Sequence, residues 1–491
     1  MHMDKSRVFL VCVVAFIVGV GLRSVFAFNG MIVFLLLSIF FIIALSVFWK
    51  NKLAIVMAGA IIFFGLGILR IDEVLNKISN IEEMKNFSGS ALVIREPETR
   101  DFYQNIIART NDGTMFMMRV PLHQDVRYGD ELNVACTLSI PKNTQEDFDY
   151  RMYLAARHIN YLCDKPEFSI IARAKGNAGY AVLLETKDNM EENINRVIPE
   201  PQAALATGLI IGGSEGMTKN VQEYFSKTGM THIVAVSGYN VTIVAEYLMM
   251  LGIFLGLWRK QAFWFAVCGI FAFVLVVGFP ASAVRAGVMG TLLLWAMKNG
   301  RLANAWNAIF LSAAIMLVIN PLLLIWDIGF QLSFLATIGI VAFSPLWEKY
   351  FLKQHKAFGF SEIVLLSLSA QVFVLPIMIY HFQKLSLISL AANVLVLPIV
   401  PLSMLLVFIT AIAGFIFAPL SLVFSWLANA VLFYEIWVVK TLADISWAQG
   451  TIERISSWWM LGIYAILGII VFAINRKFSR VCITEEESIS F

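Results

Sequence analysis

Ser237 and Asn240 stand three residues apart at the head of an apolar run, in the stretch 228–241 that reads TGMTHIVAVSGYNV. A hydroxyl and a carboxamide at that spacing share one face of a helix, and Gly238 beside them lets another backbone come close. In hydrocarbon such groups must find partners or line a wet cavity, so the cluster is a candidate for handling a polar substrate. Interhelical hydrogen bonding alone would also account for it. A serine can instead be a nucleophile, given a base to activate it. His232, five residues earlier, falls about 140° away around a regular helix and is poorly placed for that task. It is either a satisfied polar group or a residue at an entrance.

Arg285 is the second candidate. In 278–286, GFPASAVRA, a proline breaks the run and small residues surround one arginine. Broken helices are tolerated at membrane depth where they are buried in protein or line a cavity. A guanidinium there suits a passing phosphate, and the other reading is a structural ion pair with Asp327. Asp327, Phe330, Gln331 and Phe334 recur at helical spacing after Asn320-Pro321. A carboxylate would repel a polyanion, so Asp327 is assigned to gating or ion pairing, while Gln331 and Ser333 join the candidate path. Gln371 and Asn393 complete it, among Pro376, Pro398 and Pro401, prolines spaced as in the discontinuous helices of transporters. Kinked packing without function is the alternative there.

Missing motifs narrow the chemistry. No GxxxxGK[ST] phosphate loop occurs, so ATP hydrolysis by that route is not expected. The 6 histidines are scattered, without HExxH or HxHxDH, and the 5 cysteines form no CxxC or Cys/His cluster. Neither a metal nor another cofactor is expected.

The elements that must position these residues are membrane helices. Of 491 residues 59% are hydrophobic and 14% charged, with a net charge of +3 and a mean hydropathy of +0.76. Soluble domains hold roughly 45–50% apolar and 25% charged residues. Apolar runs at 8–28, 31–48 and 53–69, then nine more from 232–257 to 457–474, give about twelve spans of the length a bilayer requires. The run 204–213 is too short and reads as interfacial or re-entrant. Lys5, Arg7, Lys50, Lys52, Arg259, Lys260, Lys298, Arg301, Lys349, Lys353, Lys356, Arg476, Lys477 and Arg480 fall at alternate ends of the spans. By the positive-inside rule both termini are cytoplasmic and the polar segment near 80–180 is outside. Arg23, near an outer end, is expected to snorkel.

That polar segment reads as a meander of strands, with turns at Asn111-Asp112-Gly113 and Tyr128-Gly129-Asp130, a helix from Tyr150, and a last strand FSIIARA. Strands plus one helix in about 90 residues suggest an OB-like barrel, a fold used for single strands and sugars. A structural cap is the equal alternative. Over residues 85–175 there are 12 Lys/Arg and 12 Asp/Glu, so no basic surface is evident. Cys136 and Cys163 either form a disulfide across the barrel or remain two buried thiols. The fold class is therefore a polytopic α-helical membrane protein with an inserted extracytoplasmic small β-barrel. Its regions are 1–75 (transmembrane), 80–180 (barrel), 195–478 (polytopic channel domain) and 479–491 (cytoplasmic tail).

In their order along the chain, the motifs resemble the ComEC-type competence proteins. Phe148-Asp149-Tyr150 with Tyr153-Leu154 matches FDYxxYL, 204–212 resembles LxxGLxxG, and 231–241 resembles HxxAxSGxxV, with Asn240 where many members have histidine. PASxVRA at 280–286, DIGFQLSFLATIGI at 327–340, AQVFVLPIMIYHF at 370–382 and NxxxxPxxP at 393–401 complete the set. The resemblance implies an inner-membrane channel, not an enzyme, that passes single-stranded DNA during natural transformation. Its implied partners are single-stranded DNA, the lipid membrane, a membrane-anchored DNA receptor outside and a helicase-like ATPase inside. Many members carry a C-terminal metallo-β-lactamase-like domain, and no such segment follows the last apolar run here, so strand degradation is expected of another protein or not at all. Two further readings stay open, a transporter or channel for another polymer or a small solute, and an intramembrane hydrolase using Ser237.

Overall fold

The structure is a computed structural model that describes residues 5–48, 51–81, 86–100, 102–122, 124–143, 148–213, 216–234, 237–278, 281–298, 305–347, 360–452, 456–471 and 473. Lys50, Arg301, Lys349, Lys353, Lys356, Arg476, Lys477, Arg480 and the tail 479–491, used above to orient the chain, lie outside these residues, as does Pro280 of the PASxVRA motif.

In chain order, helices α1 (Lys5–Val25), α2 (Gly30–Phe48) and α3 (Lys52–Ser79) precede strands β1 (Asn86–Val93), β2 (Glu98–Thr99), β3 (Gln104–Thr110), β4 (Met115–Val120) and β5 (Glu131–Ser139). Then come α4 (Tyr150–Ala155), β6 (Tyr161–Ala172), α5 (Ala178–Val197), α6 (Gln202–Ile210), α7 (Lys219–Lys227) and α8 (Thr231–Val234). The remainder is α9 (Gly238–Phe254), α10 (Arg259–Val276), α11 (Ala281–Lys298), α12 (Ala305–Ile319), α13 (Leu323–Trp326), α14 (Ile328–Trp347) and α15 (Phe360–Phe382). It ends in β7 (Lys384–Ser386), α16 (Ser389–Val396), α17 (Val400–Ile416), α18 (Ala418–Ala443), β8 (Gln449–Thr451) and α19 (Ser457–Val471).

Every apolar run expected to cross a bilayer is helical, but the count of twelve is not reproduced. Among the described residues 5 helices are long and apolar enough, or 6 if α16 and α17, bent by 51° at their break, make one span. Shorter apolar stretches fall in α2, α9, α12, α14 and α19. Polar and proline residues cut two of the runs. The 232–257 run divides into α8 and α9, and the 387–415 run into α16 and α17.

Contacts divide the chain into two units, the first holding Met1–Thr186 with Arg301–Gln331. In it α1 and α3 pack at glycines, since a Cβ on Gly19 or Gly67 would collide with the facing backbone at Phe64 or Phe16. Arg23 does not snorkel. Its Nη2 sits 2.6 Å from the nearly buried Asp72 on α3, because a carboxylate within reach costs less than stretching to the interface. Arg70 donates to the carbonyls of Val318 (2.8 Å) and Ile319 (3.0 Å), the open C-terminal end of α12, where a cation is favoured.

The strands of this unit follow the order β1-β5-β6-β4-β3-β2, and a further β1–β3 pairing closes five of them into a barrel. Only β4 and β6 pair in parallel. Alternate residues fill its core, with Val93, Ile106, Ala108, Phe116, Met118, Leu132 and Val134 all but fully buried. Gly113 (φ 85°) and Gly129 (φ 82°) supply the left-handed conformations of the two expected turns. Cys136 and Cys163 are joined with their Cα atoms 5.7 Å apart, between neighbouring strands and not across the barrel. Cys136 stands where the β5–β6 register shifts between Ala135 and Thr137, opposite the extra residue that Lys165 and Pro166 give β6.

The second unit comprises Lys187–Gly300 with Leu332–Phe491. Its largest core joins α5 to α9 with α16, α17 and α18. In α6, 8 residues are buried, so the short run at 204–213 is a core helix and not an interfacial one.

Candidate functional site

Ser237 lies outside the helix it was expected to share with Asn240. It is the N-cap of α9, with extended backbone (φ −98°, ψ 166°). Its Oγ accepts from the Asn240 backbone N–H at 3.3 Å and donates to Asn240 Oδ1 at 3.0 Å. Serine is favoured at this position because its oxygen satisfies a free N–H of the first turn. Asn240, 1% exposed, also donates from Nδ2 to Leu209 O at 3.2 Å, tying α9 to α6. The residue types that look like a polar seam are thus used in starting α9 and in tying it to α6.

The space beside this cap is taken by Arg285, on the second turn of α11. Arg285 is 9% exposed. Its Nε donates to Ser333 Oγ at 2.5 Å, and Nη1 donates to Thr337 Oγ1 at 2.8 Å. The guanidinium carbon lies 5.8 Å from the centre of the Phe334 ring. An added Cβ on Gly238 would meet Nη2 at 2.5 Å, so only glycine lets the guanidinium lie against the start of α9. A helix N-terminus attracts anions, through its free N–H groups and the aligned peptide dipoles. Here it meets a cation, and among the described residues of this unit no carboxylate forms an ion pair with Arg285. Two positive contributions converge on one buried place.

The prolines of the last cluster are tied to the same helix α9. Pro401 has no N–H, which leaves the Leu397 carbonyl without its helical donor. Tyr239 Oη donates to that oxygen at 3.2 Å, and Tyr247 Oη donates to Pro401 O at 2.8 Å. The α16–α17 break is therefore held open by two phenols of α9, whose first turn carries Ser237, Gly238 and Asn240.

Comparison with known proteins assigns the chain a family. The family model described as Competence protein matches residues 209–477, which include Ser237, Arg285 and the α16–α17 break and exclude the barrel. The chain belongs to the competence protein family. It is 30% identical over 300 residues to ComE operon protein 3 of Bacillus subtilis, covering 57% of this chain and 35% of that protein. With competence protein ComA of Neisseria gonorrhoeae it is 29% identical over 146 residues, covering 28% of this chain and 20% of that one. The chain thus spans about a third or less of the length of these curated relatives. No solved structure matches it.

The remaining candidate residues of this competence-family chain fall elsewhere. His232 is exposed, with Nδ1 3.0 Å from Gly229 O in its own turn. Asp327 caps the start of α14, Oδ1 accepting from the Phe330 N–H at 2.7 Å. Gln331 donates from Nε2 to Leu324 O and Ile325 O, both at 2.9 Å, closing α13. Gln371 is half-buried on α15. Asn393 on α16 is 6% exposed, and its Oδ1 has no hydrogen-bond partner among the described residues. Of the nine path candidates the structure brings together Ser237, Gly238, Asn240, Arg285 and Ser333. Sequence reasoning missed Thr337, Tyr239 and Tyr247; only the tyrosines' place near the serine hinted at them.

The barrel carries a groove of its own, of about 710 Å³. Tyr150 and Tyr153 of the FDYxxYL motif line it with rings stacked at 6.4 Å and 21°. Arg157 lies 4.4 Å from the Tyr153 ring centre, and Arg119 lies 5.1 Å from that of Tyr103. Four basic side chains and two acidic ones line the groove, a local excess that the even count over the whole segment hid. Burial raises the Tyr153 phenol above its ordinary pKa, with Arg157 opposing, so the hydroxyl stays protonated at neutral pH. Burial first, then Arg95, holds His158 below the usual histidine range.

Proposed function

We propose that this chain is a membrane channel that translocates single-stranded DNA into the cytoplasm during natural transformation. The observation that carries the reading is Arg285, a buried cation at the anion-favouring end of α9 with neutral hydrogen-bond partners. Such a place is stabilised by a passing phosphate and by little else that a membrane offers. Family membership supports the same substrate class.

In this reading the polytopic domain lies in the cytoplasmic membrane with both termini inside and the barrel outside. The groove of Tyr103, Tyr150, Tyr153, Arg119 and Arg157 receives the strand, since every base has a face to stack and a phosphate to pair. The strand then passes Arg285, flanked by the Ser237 cap and Ser333. The chain needs a membrane-anchored receptor to deliver DNA and a cytosolic helicase-like ATPase to pull it.

The test is delivery of labelled DNA to the cytoplasm of a transformable host whose own channel gene is replaced by this one, beside an Arg285→Ala version. Delivery by the parent and its loss in the variant, at equal membrane abundance, support the reading. No delivery by a well-inserted parent, with its DNA receptor and ATPase supplied, overturns the choice of substrate.

A further inference from the structure

Glu435 is an acid inside the largest core of the second unit, and nothing in the strand path uses it. It lies on the buried face of α18 with Leu432 and Val439, in line with Ser421, Ser425 and Ala428, at the spacing of one helix face. Its exposure is 1%. Oε1 accepts from Ser403 Oγ on α17 at 2.5 Å, while Oε2 has no hydrogen-bond partner among the described residues.

The helices packed on α18 are α6, α7, α16 and α17. α6, α16 and α17 contain no ionisable residue. On α7 stand Lys219, Glu223, Tyr224 and Lys227, of which Glu223 and Lys227 pair with each other at 2.9 Å. α18 itself adds Tyr434, whose Oη donates to Leu395 O, and Lys440 near its end, with Asp444 following. An ionised carboxylate in such a place has a single neutral donor to replace the water it has lost. Among the described residues three buried acceptors on α16 and α18 are without a donor, Asn393 Oδ1 on the first and Asn429 Oδ1 and Glu435 Oε2 on the second. A donor is what these helices lack, and a proton on Oε2 creates one. A metal cation would need several oxygens around it, which Oε2 does not have.

We propose that Glu435 is an intramembrane proton-binding site whose occupancy redirects the Ser403 hydroxyl at the break between α16 and α17. Ser403 Oγ lies 3.3 Å from the carbonyl oxygen of Ile399, the N-cap of α17, which also accepts the Ser403 N–H at 3.0 Å, as well as against Glu435. A hydroxyl has one hydrogen to give. With the carboxylate ionised, that hydrogen is held by Oε1. When a hydronium ion from the aqueous side delivers its proton to Oε2, the carboxyl becomes neutral, its pull on Ser403 weakens, and the hydrogen turns to Ile399 O. Release returns the proton to water, and no covalent bond other than O–H forms or breaks. The break is bonded through Tyr239 and Tyr247 to α9, whose N-cap lies on the path proposed above, so regulation of strand passage rests on that reading, whereas the proton site does not.

The experiment is infrared difference spectroscopy of the full chain in liposomes across pH, for the parent, Glu435→Gln and Ser403→Ala. The parent should show a protonated carboxyl C=O band that is lost on raising the pH and is absent from Glu435→Gln. In Ser403→Ala that band should persist at a shifted frequency. A band unchanged by Glu435→Gln, or no pH-dependent carboxyl band in the parent, overturns the site. A band unmoved in Ser403→Ala overturns the redirection. These spectra need no DNA, so failure of the uptake assay leaves them standing, and their failure leaves the uptake reading intact.

Discussion

Replacing Arg285 by methionine separates a cation kept for a passing phosphate from one kept for the fold. The variant loses hydrogen bonds to Ser333 Oγ and Thr337 Oγ1, each to a charged donor and each worth about 1.5–3 kcal/mol, or about 3–6 together. It also removes the penalty of burying an ion that no carboxylate neutralises, which is several kcal/mol of opposite sign. Thr337 Oγ1 keeps its bond to Ser333 O at 3.0 Å, so that hydroxyl is not stranded. Methionine fills the stem volume, and the two sides nearly cancel, leaving stability within about 2 kcal/mol of the parent. Membrane abundance and the thermal midpoint in detergent should therefore hardly change while DNA delivery is lost. A collapse in abundance would make the cation structural, and normal delivery would take it off the path. Either result refutes the reasoning.

Further perturbations test other parts. Gly238→Ala sets a Cβ 2.5 Å from Arg285 Nη2, so the guanidinium must swing off its hydroxyls, and delivery should drop as in the arginine variants with abundance preserved. Replacing both Cys136 and Cys163 by alanine opens a loop of sequence separation 27, an expected loss of about 3.5 kcal/mol in barrel stability by loop entropy, read as earlier proteolysis of the barrel. In Tyr153→Ala, binding of single-stranded DNA oligomers by the full chain should weaken by about 1–3 kcal/mol, and in Arg157→Ala the slope of log affinity against log salt should shrink by about 0.7. His158 is held below its ordinary pKa. Its contribution to stability is therefore present above the unfolded value, near 6.5, and is lost as pH falls through the lowered folded value. His158 has φ 65°, which asparagine tolerates, and His158→Asn should flatten that acid limb in thermal melts.

What the sequence made legible is what periodicity encodes. The barrel strands announce themselves by alternation, and Gly113 and Gly129 mark the turns their φ values require. Breaks inside apolar runs are harder to see, because a serine in such a run reads equally as a seam or as a cap. Ser237 was placed on the helix face when its extended backbone in fact caps the start of α9. Gln331 looks like a path residue and Asp327 like a gate or ion-pair partner, yet their side chains close the ends of α13 and α14, a local task that spacing does not distinguish. Arg23 found Asp72, a residue 49 positions away, and long-range pairing of that kind leaves no trace in periodicity. Glu435 was visible as the one acid of a 26-residue apolar helix and still passed unremarked, since it sits in no motif.

The distribution of charge fits a conduit better than a receptor. A site that holds its substrate must be strong, whereas a conducting path needs binding just favourable enough to admit each unit and weak enough to release it. In the proposed reading Arg285 offers one guanidinium, held through Nε and Nη1 by two hydroxyls to which it returns when a phosphate leaves. The exchange trades two charge-assisted hydrogen bonds for a fork on phosphate. The barrel groove, with four basic side chains offset by two acidic ones and with stacked tyrosines, is likewise moderate. Because every nucleotide presents the same phosphate and a face to stack, both places treat successive units alike. Neither requires a strongly basic chain, which is why a net charge of +3 over 491 residues is compatible with a polyanionic cargo.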